Sequence, residues 1–188
     1  MNPESPRLKR RVFCRLSIAA GNVLQMAGLL VGGWALACAG SARSNAVAVT
    51  AMLFGWVLLY LSCHGIAHWF VGRILGIRFL HYTVGGAAKQ WPTGLRWIFE
   101  HLPFFGVQTE KASMQAASSV AKAVLWSAGV TSSAVVPTLG ALWAWHTSVP
   151  YGKLFSLFAI AWSIGTLASN WTSFTGDYAK ARRALGGN

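Results

Sequence analysis

Residues Met52–Leu75 read MLFGWVLLYLSCHGIAHWFVGRIL. Arg73 is the only fixed charge in the run. At about 1.5 Å per residue it is long enough, as a helix, to cross a hydrocarbon layer of about 30 Å. Near its end stand His64 and His68, four residues apart. On a helix that spacing puts both side chains on one face, with Cβ atoms roughly 6 Å apart, close enough for two imidazoles to hold one metal ion. His64 precedes Arg73 by nine residues, which places it roughly 13 Å inside the interface that Arg73 marks. Ionisable groups at membrane depth are functional candidates by default.

The composition fits that setting. The chain has 188 residues, 54% of them hydrophobic and 11% charged, against about 25% charged in a soluble domain. Mean hydropathy is +0.46. A net charge of +12 would suit nucleic acid if it formed one basic domain. Instead Lys and Arg sit at the ends of apolar runs, so nucleic acid is set aside as a partner, and a bilayer with an anionic cytoplasmic leaflet is expected. Cys14, Cys38 and Cys63 are odd in number and too few for a disulfide framework.

Outward from the histidines, the chain reads as an all-α integral membrane protein with four spans, at about residues 16–40, 46–75, 118–146 and 153–173. Residues 1–15 form a basic cytoplasmic arm, and 16–188 a single membrane domain. A signal peptide competes for the first run, but Ile18–Ala39 is long for one. Arg43 lies in the first outer turn; Arg73, Arg78, Lys122, Lys180, Arg182 and Arg183 mark inner ends, so both termini are expected in the cytoplasm. The segment 76–117, expected on the cytoplasmic side between the second and third spans, reads either as an ordinary loop or as a short membrane-associated β/loop insertion. Within it, Ile77–Val84 and Phe104–Val107 read as short extended pieces. Leu95–Leu102 reads as an interfacial helix, with Trp91 and Trp97 at headgroup depth.

Asp177 is the only aspartate, and it follows the fourth span on the histidines' side. Two imidazoles and a carboxylate would leave a fourth tetrahedral position for water, the layout of a catalytic zinc. Two other readings stay open: Asp177 as the N-cap of a helix over Tyr178–Leu185, and His64 and His68 as hydrogen-bonding groups without metal. Five histidines (His64, His68, His81, His101, His146) are too few for a di-iron membrane oxidase.

On these residues the chain resembles the site-2 protease family of intramembrane zinc metalloproteases. His64-Gly65-Ile66-Ala67-His68 matches the two histidines of that family's His-Glu-x-x-His element. Gly129-Val130-Thr131-Ser132-Ser133 is similar to its second motif, and Asn170 with Asp177 to its third. The likeness covers roughly residues 46–180 and leaves the first span as an addition. It implies one Zn²⁺ per chain on His64, His68 and Asp177, with Asn170 as a polar lining residue and a transmembrane helix of a substrate or partner as ligand. The chain departs from the family where Gly65 replaces the general base, where the third motif lacks its prolines, and where Tyr178 follows Asp177. Glu100 and Glu110 are the carboxylates left to serve as base. The expectation is a metal-binding protein with impaired or absent proteolysis. An active protease with a displaced base and a metal-free membrane scaffold are the alternatives. If the missing base is the only defect, Gly65→Glu is expected to restore cleavage.

Overall fold

A computed structural model describes residues 11–86, 97 and 100–186. The elements run β1 (Val12–Leu16), α1 (Ile18–Ala39), α2 (Asn45–Ile74), β2 (Phe79–Gly85), β3 (Phe104–Thr109), α3 (Lys111–Ala116), α4 (Ser119–His146), α5 (Gly152–Thr172) and α6 (Asp177–Ala184). Helices α1, α2, α4 and α5 are long and apolar enough to cross a membrane. Three of them start at a serine whose hydroxyl accepts a first-turn N–H: Ser17 from Ala20, Ser44 from Val47 and Ser118 from Ala121. Such caps satisfy donors that the helix cannot pair internally. α5 starts instead after Tyr151, which turns the chain in the left-handed conformation at φ 61°.

α2 is the central helix, packed by α1 on one side and α4 on the other. Its seam with α1 is backbone to backbone. A Cβ on Gly32 would lie 2.9 Å from the Gly55 carbonyl oxygen, and one on Gly55 2.6 Å from that of Gly32. Small residues permit this approach where lipid offers no hydrophobic drive to pack. The apolar core, with Leu36, Met52, Trp56, Ala141 and Phe155, gathers at one end of the bundle. This is the end of the 40–44 and 147–151 turns; the histidines of α2 lie toward the other.

The three-stranded antiparallel sheet has β2 in the middle, with Thr83 opposite Arg15 of β1 and Gly106 of β3. Here the sequence reading needs correction. It confined β structure to the insertion and treated residues 1–15 as an arm, yet 12–16 form a strand. The physical reason is pairing: β2 and β3 alone would be a marginal hairpin, and Val-Phe-Cys-Arg-Leu is compatible with a third strand. The sheet is tied to α1 by Tyr82. That residue is fully buried, its hydroxyl donates to Asn22 Oδ1 at 2.7 Å, and its ring fills the space over Gly21. The expected helix at 95–102 lies mostly outside the described residues, as does Trp91; Trp97, Glu100 and His101 are helical.

Candidate metal centre

α2 presents His64 and His68 one above the other, their ring centroids 4.8 Å apart. α5 ends at Thr172, and the short turn after it delivers Asp177 as the first residue of α6. Asp177 Oδ2 lies 3.3 Å from Nε2 of His64 and 3.3 Å from Nε2 of His68. All three ligand atoms fall within 4.8 Å of one another. Metal–ligand bonds of about 2.0–2.1 Å at tetrahedral angles put neighbouring ligand atoms about 3.3 Å apart, which the two histidine–aspartate spacings match. The cap reading of Asp177 is corrected here. Gly176 holds the N-cap position and Asp177 is the first residue of the helix; its carboxylate is turned to the histidines and to Lys180, whose Nζ donates to Oδ1 at 2.8 Å.

The other ring nitrogens are equally engaged. His68 Nδ1 lies 2.7 Å from the Leu125 carbonyl oxygen. A carbonyl can only accept, so Nδ1 carries the proton and Nε2 has its lone pair free. His64 Nδ1 is 3.1 Å from Ser133 Oγ, which donates its own proton to the Gly129 carbonyl at 3.0 Å. Ser133 therefore accepts from His64 Nδ1–H, and His64 also presents a free Nε2 lone pair. Outer partners of this kind fix tautomer and ring orientation at metal-binding histidines. Gly129 makes the space: a Cβ there would run into His68 at Nε2.

Burial by itself would raise the Asp177 pKa; its polar contacts with His64 and His68 and the Lys180 ammonium outweigh it, and the carboxyl is held far below the usual carboxylate range. Asp177 is thus an anion ready for a cation. The order Ser133–His64–Asp177 superficially resembles a nucleophilic triad. Ser133 is buried, its proton is committed to Gly129, and His68 shares the same carboxylate oxygen, so the hydroxyl serves to orient the ring. Ser133→Ala is expected to weaken metal affinity about 10–100-fold, measured by chelator competition at unchanged helical circular dichroism. Unaltered affinity would remove Ser133 from this role.

The three groups open onto a cavity of about 550 Å³, whose wall also includes Asn170, Lys180, Trp126 and the whole of β3. Asn170 is on that wall, its Nδ2 donating to the Thr166 carbonyl at 3.1 Å. Glu100 and Glu110 are not on the wall, and among the described residues that are, Asp177 is the only carboxylate. Glu110 stands ahead of α3, its backbone N–H bonded to Arg78. Gly65 is not on the wall either; a Cβ there would point at Gln25 of α1, 2.6 Å from Oε1. Sequence reasoning missed Ser133 as a histidine partner, Lys180 as a site residue, and Gln25. Lys180 alone left a usable signal, its i, i+3 spacing from Asp177.

No protein-family model matches the chain, and neither a curated protein nor a solved structure is significantly similar to it.

Proposed function

We propose that the protein is an integral membrane metalloprotein of site-2-protease type. In this reading it binds one Zn²⁺ through His64, His68 and Asp177 and engages a membrane-embedded partner with little or no cleavage. The observation that carries the metal reading is the convergence of two Nε2 lone pairs and one carboxylate oxygen, each with its other polar atom already occupied. When bound, the zinc would polarise a water molecule or a carbonyl. The impairment rests on the wall of the cavity, where Asp177 is the only carboxylate among the described residues. A general base contributes roughly 10²–10⁴-fold in rate, and Asp177 cannot both ligate and abstract. Asn170 and β3 offer polar and backbone groups to a bound chain. β3 stands last in the strand order β1-β2-β3 and lines the cavity along its whole length, which suits a partner segment in extended form.

Arg11, Arg15, Arg73, Arg78, Arg182 and Arg183 lie toward the site end of the helices, whereas Arg43 and Lys153 lie toward the other. That asymmetry supports cytoplasmic termini, a site facing the cytoplasmic leaflet, and anionic lipid around it. In a cysteine-free background, a cysteine at Ser44 or Ser148 is expected to be labelled from outside intact cells and one at Lys111 is not. Labelling at Lys111 would invert the topology.

The decisive experiment combines metal analysis of purified wild type with a cleavage assay on a transmembrane reporter in proteoliposomes. About one zinc per chain and no zinc-dependent product are expected. Robust cleavage that survives in Glu100→Gln and Glu110→Gln would overturn the impaired reading. Metal-free protein would leave a membrane scaffold.

A further inference from the structure

We propose that Lys180 is a positioning residue of the metal centre, holding Asp177 so that a single carboxylate oxygen is offered to the ion. The inference rests on the metal reading above. Lys180 sits one turn after Asp177 on α6, where residues three apart share a face. The carboxylate is divided between partners: Oδ1 accepts from Lys180 Nζ at 2.8 Å, while Oδ2 lies 3.3 Å from both histidine Nε2 atoms. The lysine is itself held. Its ammonium stands 4.3 Å from the centroid of the Trp126 ring, within cation–π range. Trp126 in turn meets the His68 ring edge-on at 5.9 Å. α4 and α6 therefore clamp the cation between an aromatic face and the carboxylate, on the wall of the cavity.

The consequence is a coordination number. A carboxylate near a divalent cation can bind through one oxygen or two. With Oδ1 held by Lys180, the chain supplies three donor atoms and leaves a position free for water or a partner's carbonyl, the open arrangement of catalytic zinc sites. Without the ammonium, Oδ1 is released to close on the ion as a fourth protein donor beside the water, and the coordination number rises from four to five. A merely electrostatic lysine would behave differently. A positive charge beside a dication repels it, so its removal would tighten binding and leave geometry alone.

Cobalt(II) in place of zinc reports this directly, because its visible absorption is strong in four-coordinate sites and weak in five-coordinate ones. Wild type and Lys180→Arg are expected to show the intense four-coordinate bands. Lys180→Met and Lys180→Gln should bind cobalt with absorption reduced several-fold, as Asp177 closes through both oxygens. The side chain of Lys180 is 38% exposed, so these changes sit at the cavity surface, and circular dichroism checks that each variant keeps its helices. Spectra of Lys180→Met and Lys180→Gln superimposable on wild type would overturn the proposal, as would a loss of intensity in Lys180→Arg equal to theirs. Wild type that binds no cobalt would overturn the metal reading itself, and this inference with it.

Discussion

His64→Ala and His68→Ala are each expected to take the metal content of the purified protein from about one ion per chain to near zero. Each change removes one of three converging donors, and the two that remain are too few for a structural or catalytic zinc site. The effect extends beyond the ion. In the wild type the ion would be shared by Asp177 Oδ2 and the two imidazoles, and its loss leaves a largely buried carboxylate with Lys180 as its donor, a cost of about 1–3 kcal/mol. Asp177→Ala should lose metal as completely. Asp177 is not the N-cap residue of α6, so α6 is expected to persist and the loss to be one of coordination. Gly129→Ala, which adds a methyl against His68 Nε2, should fall in the same direction without removing a donor. The measurement is metal content by mass spectrometry, with chelator-induced loss of thermal stability as an independent readout seen in wild type and absent in His68→Ala. Equal metal in wild type and His64→Ala would end the ligand assignment.

How much of this was legible in the sequence varies with the range of the interaction. The four long helices fall within two residues of the spans read from apolar run length, because length, composition and serine caps are local properties. The histidine pair was equally plain, since i, i+4 geometry needs no tertiary information. β1 was hidden by its basic neighbours and by distance: its pairing partners are at 82–85. Asp177 was ambiguous because Gly-Asp before a polar helix signals a cap as readily as a ligand, and only the approach of α6 to α2 separates the two. The groups that orient the imidazoles were less accessible still. His68 is held by the Leu125 carbonyl, and a backbone oxygen is not encoded by residue type. Lys180 was read only as a marker of the inner side.

The last expectation concerns Gly65, where the sequence alone led to Gly65→Glu restoring cleavage. The space that this side chain needs is taken. A Cβ on Gly65 would lie 2.6 Å from Gln25 Oε1, 3.1 Å from Phe105 Cβ and 3.3 Å from Tyr82 Cε1. Gln25 is fully buried, its Nε2 donates to the Gly21 carbonyl at 3.1 Å, and its Oε1 has no hydrogen-bond partner among the described residues. The amide can rotate, but Tyr82 is pinned by Asn22 and Phe105 is paired with Val84 in the sheet. Gly65→Glu alone is therefore expected to destabilise the fold by about 1–3 kcal/mol through overpacking, with further cost if the carboxylate stays buried without partners, and to cleave nothing. Gly65→Ala should lower Tm in the same direction by less. Gln25→Ala empties the hollow from the α1 side, so Gly65→Ala on that background should be close to neutral, a coupling expected of groups that compete for one volume. The pair Gln25→Ala/Gly65→Glu then tests the chemistry: a gain of zinc-dependent cleavage of a transmembrane reporter, abolished by His68→Ala, is the expected result. Cleavage by Gly65→Glu alone, at wild-type Tm, would show that Gln25 does not occupy the place of the missing base.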